Sequence, residues 1–411
     1  MKLEKEIIVM KFGGSSVGDA EKIERVADRV IRVSGSGGGI VVVVSAMGNT
    51  TDELLELAGK INKDPSRREI DMLLSTGEQI SIALLAMAIQ KRGFNCVSFT
   101  GNQAGIITDD VYSNAKILTI ATGRVLKELK SGKIVVVAGF QGVTQAGDIT
   151  TLGRGGSDTT AVAMAAALNA DYCEIYTDVD GVYTTDPNVM ESAKKIVSLS
   201  YDEMLELASS GAKVLHLRAV EFAKKHNVVL HVRSSFNDNE GTWVMDNSKK
   251  TDRMERPVVT GVTYDTNEAK ITIFGLEDLP GIAAKLFGAF AGENINVDLI
   301  VQNVSEGGVA TISLTIKSED VIPAKKVIEN LKSSIQFSGY NIDPDVAKVS
   351  IVGAGMQTHP GVAAAMFDIL AKENINIEMI STSPIRISCV IRKEKVKAAV
   401  RALHKGFELE K

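Results

Sequence analysis

Two stretches of this chain repeat each other. Residues 280–300 (PGIAAKLFGAFAGENINVDLI) and 360–380 (PGVAAAMFDILAKENINIEMI) align without a gap at an offset of 80, with eleven of 21 positions identical. Average residue usage would match about one or two. Each copy follows a strand pattern, residues 269–275 (AKITIFG) and 347–353 (AKVSIVG), and precedes another, residues 311–316 and 385–391. Helical patterns then close each copy, at residues 320–331 and 394–404. A β-α-β-β-α unit used twice restricts the C-terminal part to two similar domains close to a βαββαβ plan. That plan needs a strand after its last helix, and the second copy has only the short, charged residues 406–411 left. Residues 258–264 (VVTGVTY) form an orphan strand ahead of the first copy. The second unit is therefore expected to be discontinuous, comprising residues 258–265 and 339–411, with the first, 266–338, inserted into it. Residues 237–257 are polar and lack apolar periodicity, which predicts a linker from a first domain of residues 1–236.

That first domain alternates strand and helix. Residues 6–12 run into Gly13-Gly14-Ser15-Ser16, and Ile23, Val26, Ala27, Val30 and Val33 follow at helical spacing. Residues 40–44 and 133–139 read as strands buried on both faces. Residues 71–92 and 159–169 read as helices, and residues 173–177 as a strand. Repeated β-then-α order predicts an α/β fold with a mostly parallel sheet between helices, its ligands beyond the carboxyl ends of the strands. The net charge of −5 argues against nucleic acid or an anionic membrane as partner. The longest apolar runs have eight residues, no signal-peptide core is present, and the three cysteines stand far apart. A cytoplasmic protein with reduced thiols is expected.

Three loops carry chemistry. Lys11-Phe12-Gly13-Gly14-Ser15-Ser16 stands at a strand end, where bare glycine amides face phosphate oxygens and a lysine neutralises them. Residues 151–160 (TLGRGGSDTT) place a glycine turn at the start of a helix, with Arg154 and Asp158 close together. Free amides there favour an anion, and arginine suits a carboxylate; a plain cap by Ser157 or Asp158 is the competing reading. Residues 176–187 (YTDVDGVYTTDP) read either as a pair of turns or as a loop lining a nucleotide pocket.

The motifs KFGGSSVGD, SAMGNTTDEL, LLSTGEQIS, GFQGV, TTLGRGGSDTTA, YTDVDGVYTTDP and ELASSGAKVLHLRAVEFA together resemble the amino-acid kinase family, specifically its monofunctional aspartate kinases. The tandem repeat resembles that family's paired, ferredoxin-like ACT domains. The resemblance spans essentially the whole chain. It implies ATP-dependent phosphorylation of the aspartate side-chain carboxylate, with Mg²⁺ carried on the ATP phosphates and no protein metal site. It also implies feedback by lysine, threonine or both, a homo-oligomer joined through ACT domains, and in some relatives a short subunit from an internal start, here Met254. Lys11 and Lys213 would contact the transferring phosphate, with Asp158 organising them. Phe12, Gly13, Gly14, Ser15, Ser16, Thr177, Asp178, Tyr183 and Asp186 fall on ATP positions. Ser45, Thr51, Glu78, Arg154, Gly155, Gly156 and Ser157 fall on the aspartate pocket. A kinase for another amino-acid carboxylate and an inactive amino-acid sensor are the alternatives.

Within the repeats, the offset pairs Asn296 with Asn376 and Asp298 with Glu378. These are either caps and turns kept for folding or acceptors for an effector's ammonium. In the second reading, amides around Asp278, Gly281, Ile282 and Ala283 take its carboxylate, with Gln302 on the facing strand. In the second copy the resemblance points to Ala363, Asn376, Ile377, Ser383 and Pro384; relatives often carry an acid where Pro384 stands.

Overall fold

Continuous β-branched sequence dictates the centre of the N-terminal part. In the computed structural model, which describes residues 6–35, 37–212, 214–246, 257–304 and 308–411, β1 (Ile7–Phe12) lies between β2 (Gly39–Val44) and a later strand, parallel to both. Helix α1 (Ala20–Ser34) opens on Asp19, whose side chain accepts the Lys22 amide at 2.8 Å. After β2 come α2 (Thr50–Ile61), α3 (Arg67–Lys91), β3 (Cys96–Phe99), β4 (Ile106–Thr108), β5 (Ile117–Ile120) and α4 (Gly123–Lys130). Then follow β6 (Ile134–Ala138), β7 (Gln141–Val143), β8 (Ile149–Thr151), α5 (Gly156–Leu168) and β9 (Tyr172–Thr177). The part ends with β10 (Ser198–Ser200), α6 (Tyr201–Ser209), α7 (Leu217–His226), β11 (Leu230–Ser234) and β12 (Thr242–Met245).

Eight strands form the main sheet, in the order β10-β12-β11-β9-β1-β2-β6-β3, and only β11–β12 is antiparallel. Ile8, Met10, Phe12, Val42, Val44 and Val136 face α1 and α3 through Val26, Val30, Leu85 and Ile89. The alternate residues Val9, Val41, Val43, Val135 and Val137 are equally buried on the opposite face, where α4 and α5 lie. A fully buried aliphatic side chain contributes about 1.5–3 kcal/mol, so this double-sided burial explains the unbroken valine runs. β4, β5, β7 and β8 make a small separate sheet that sequence periodicity did not foretell. Helix α3 is long and apolar enough to span a bilayer, yet it buries Asp71, Ser75, Glu78 and Ser81 inside this fold. The three cysteines are free and buried, and burial pushes the Cys96 and Cys389 thiols up to about 12.

The linker expectation needs correcting. Within residues 237–257, β12 joins the sheet, pairing with β10 and β11, and Trp243 stacks on His231 at 3.8 Å. Four residues are too few for alternation to register, so the strand read as polar loop. Met254 lies outside the described residues.

The chain falls into two units, Met1–Val182 with Lys195–Ala208 and Lys213–Asp252, and Tyr183–Lys194 with Ser209–Ala212 and Arg253–Lys411. The second holds β13 (Gly261–Glu277), α8 (Ile282–Gly292), β14 (Val297–Val304), β15 (Val309–Lys317) and α9 (Val321–Leu331). It continues with β16 (Gly339–Val352), α10 (Val362–Lys372), β17 (Met379–Ser383), β18 (Arg386–Arg392) and α11 (Val396–Gly406). One sheet runs β14-β15-β13-β16-β18-β17. The two middle strands are long and shared. The first half of β13, from Gly261 to Asp265, pairs with Lys348–Val352, and Lys270–Phe274 pairs with residues 339–343. Register shifts between Asp265 and Lys270 separate the halves. Val259 and Val262 pack with Val349, Ile351, Leu370 and Leu403 under the second repeat, while Ile271, Ile273, Leu286, Phe290 and Ile328 core the first.

Candidate active site and sensor sites

The carboxyl ends of β1, β2 and β9 meet the start of α5. Gly14–Ser16 turns tightly, with the Ser16 amide donating to Gly13 O at 2.9 Å. The Ser45 amide donates to Phe12 O at 3.1 Å and Gly48 to Gly14 O at 3.1 Å, so the loops after β1 and β2 are tied together. A Cβ on Gly14 would stand 2.8 Å from Ala46 O, so only glycine fits. Lys11 Nζ reaches Asp158 Oδ1 at 2.5 Å, and a Cβ on Gly13 would lie 3.5 Å from that ammonium. The lysine thus stands over the glycine turn.

Helix α5 is capped by Gly155 in the left-handed region (φ 69°), without a side-chain hydrogen bond. The cap reading for Ser157 and Asp158 therefore gives way: Asp158 is spent on Lys11, and the first helix amide, that of Gly156, donates to the backbone at Gly153 O, 3.0 Å away. Gly155 cannot carry a side chain, since a Cβ would fall 2.0 Å from the His216 ring. His216, which sequence reading passed over, is held below its ordinary pKa chiefly by burial. Ser157 is buried against Gly139, and Arg154 is exposed with no ion pair among the described residues. Gly156 is buried at the first turn.

Glu78 is 2% exposed. Its Oε1 accepts the Ala46 amide at 3.0 Å, and its Oε2 is buried with no hydrogen-bond partner among the described residues. Burial pushes its carboxyl up to about 7, against the lowering effect of that amide. α3 comes this close because Gly77 leaves room: a Cβ there would stand 2.8 Å from Ala46 Cβ. Thr51 opens α2.

The predicted nucleotide residues divide. Phe12 is buried and stacks on Tyr176 at 4.5 Å, and Ser16 Oγ meets Ser235 Oγ at 2.6 Å. Thr177 Oγ1 donates to Asp178 at 3.0 Å beyond β9, and Ser15 is exposed. Tyr183 and Asp186 belong to the second unit, where Asp186 accepts from Tyr264 Oη at 2.9 Å and from the Asn188 amide. Lys213 lies outside the described residues. No cluster of three or more His, Cys, Asp or Glu side chains suited to a metal ion occurs among the described residues.

In the second unit the repeats superpose their turns as well as their letters. Gly281 and Gly361 both cap helices at φ 96°, and Asn294 and Asn374 turn the chain at φ 57° and 53°. The first Asn of each E-N-I-N thus serves chain reversal, where Asn is favoured. Asp278 donates its amide to Gly308 O at 3.1 Å; Ile282 and Ala283 open α8, and Ala363 sits in the first turn of α10. Asn296 immediately precedes β14, while Asp298 and Gln302 lie on it. Asn376 and Ile377 precede β17, Ser383 ends it, and Pro384 turns toward β18. Asp298 already holds an ammonium, that of Lys348, which is 0% exposed and lies 3.6 Å from Glu268. Its repeat mate Glu378 meets Lys270 at 2.5 Å and Arg392 at 2.7 Å. Each repeat's strand lysine therefore neutralises the other repeat's acid.

Fold and site together define an α/β domain whose glycine turns gather at the carboxyl ends of parallel strands. The sequence pattern of the amino acid kinase family matches residues 6–234, and ACT domain patterns match residues 270–336 and 349–407. Aspartokinase of Mycobacterium tuberculosis (strain ATCC 25618 / H37Rv) is 52% identical over 98% of this chain and 96% of its own. Aspartokinase of Pseudomonas aeruginosa is 50% identical over 98% of each. E. coli aspartokinase III in complex with aspartate and ADP is 28% identical, with a TM-score of 0.82 over 98% of this chain and 99% of that one. The same enzyme with lysine and aspartate gives 0.76. The chain belongs to the amino acid kinase family, among the aspartokinases.

Proposed function

We propose that this chain transfers the γ-phosphoryl group of ATP to the side-chain carboxylate of L-aspartate, giving 4-phospho-L-aspartate. The Lys11–Asp158 pair over the Gly13–Gly14 turn carries the reading. An aspartate carboxylate is ionised at neutral pH and needs no general base. Its oxygen forms the new bond to phosphorus as the bond to the ADP oxygen breaks. The barrier is the approach of an anion to a polyanion, which Lys11, the glycine turn and the positive end of the α5 dipole offset by electrostatic stabilisation. Lys213 takes the second lysine's place by resemblance, and Mg²⁺ arrives with ATP as part of that substrate.

Arg154 binds the α-carboxylate, and the open Oε2 of Glu78 takes the ammonium, with Ser45, Thr51 and Ser157 around them. An N-acetylated substrate would leave Glu78 without a cation, and an inactive sensor would have no use for the Lys11–Asp158 pair. The ACT units, the first inserted into the second and closed by residues 339–343 of β16, sense lysine, threonine or both in a cytoplasmic homo-oligomer serving synthesis of aspartate-derived amino acids. An aspartate-dependent ADP-release assay, repeated with glutamate and with lysine, threonine and their mixture, tests this. Turnover with glutamate equal to that with aspartate would defeat the substrate assignment, and indifference to every effector would reduce the repeats to assembly modules.

A further inference from the structure

Asp71 is an acid at 0% exposure with no ion-pair partner among the described residues. Burying such a charge is costly unless hydrogen bonds replace its water. Here four do. Oδ2 accepts the Ser113 and Thr151 amides, both at 2.8 Å; Oδ1 accepts Ser113 Oγ at 3.1 Å and Thr151 Oγ1 at 2.8 Å. Every donor comes from two chain segments, and these segments pair: the Ala115 amide donates to Thr151 O at 2.9 Å. Arg218 completes the arrangement from α7, donating to Leu152 O at 2.8 Å and Ala115 O at 2.6 Å. The carboxylate thus accepts from the N–H and O–H groups where the two segments cross, and the guanidinium donates to their carbonyls.

The crossing leads directly into residues 153–155. Gly153 (φ 75°) packs under Ser113, itself at φ 66°, so closely that a Cβ would lie 3.1 Å from Ser113 O. Arg154, one residue on, has no ion-pair partner of its own among the described residues, so its place is set by the backbone that carries it. We propose that Asp71 and Arg218 are positioning residues for aspartate recognition, clipping the turn that presents Arg154. The proposal rests on the reading of Arg154 as the α-carboxylate clamp.

The test compares Asp71→Asn, Arg218→Met and Arg218→Lys with Arg154→Ala, measuring KM for aspartate, KM for ATP and the thermal midpoint of each full-length variant. Asp71→Asn replaces one acceptor oxygen by an amide donor that faces two of the four donors, and Arg218→Met removes both carbonyl bonds while keeping the stem. Displacing a binding group by about an ångström costs on the order of 100-fold. Both variants are therefore expected to raise KM for aspartate about ten- to 100-fold with KM for ATP within about twofold, and Arg218→Lys to recover part of the loss. If Asp71→Asn does not fold, the Arg218 pair decides. Equal rises in both KM values, or a lowered midpoint with unchanged KM for aspartate, would overturn the clip and leave the clamp standing. An Arg154→Ala enzyme with normal KM for aspartate would remove the clamp, and the clip with it.

Discussion

Lys11 and Asp158 meet because β1 is central in the sheet and α5 starts beside its end, so each side chain is only as good as the other's position. Lys11→Ala and Asp158→Ala are each expected to lower kcat by about 100-fold or more with little unfolding, as loss of preorganised transition-state charge does; near-normal steady-state turnover in either variant would remove the pair from catalysis. Glu78 makes a pH prediction. Its carboxyl is raised in the folded protein, so the contribution to stability is full below its unfolded pKa of about 4.5 and is lost as pH rises through about 7. The loss is on the order of 3 kcal/mol, and it should vanish in Glu78→Gln when unfolding is followed between pH 4.5 and 8. Aspartate's ammonium needs the ionised form, so kcat/KM for aspartate should climb across the same interval. A flat profile would place the ammonium elsewhere. Lys11 and Arg154 were legible from their glycine settings. Asp71 and Arg218 were not: a lone acid near a helix start and a lone arginine on a helix look solvated until the fold brings distant backbone to them.

At the scale of elements, strong signals came from runs long enough to repeat a period. β2, α1 and the two repeat helices show it; β12, with four residues, and the three-residue strands of the small sheet do not. Only the end of β16, from residue 347, was readable as a strand, and its burial was not, because it spans two repeats and buries Lys348 in a stretch of alternating small and branched residues. That lysine separates Asp298 from the buried Glu268, which also reaches Lys317 at 2.9 Å. Removing one member of a buried ion group strands the others. Lys348→Met should therefore destabilise the second unit by about 3–5 kcal/mol, read as an earlier denaturant transition. Lys270→Met, on a partly exposed pair where Arg392 still serves Glu378, should cost clearly less. Equal losses would mean that the burial difference between the pairs is immaterial.

For the molecule as a whole, the acid that would receive an effector's ammonium is not vacant. An incoming amino acid must share Asp298 with Lys348 or displace it, so recognition and rearrangement are one event. Asp298→Ala is expected to raise the effector concentration for half-inhibition at least tenfold, in keeping with couplings of about 1–3 kcal/mol. Unchanged inhibition curves for lysine, threonine and their mixture would remove Asp298 from the sensor. The repeat was the most legible feature of the architecture, yet letters alone did not reveal that its halves exchange lysines. β13 and β16 run through both sensor units without a break, changing register only between Asp265 and Lys270. A ligand bound at one end of that ribbon pair would press on strands that also form the other unit, so a displacement at one end would be carried to the other.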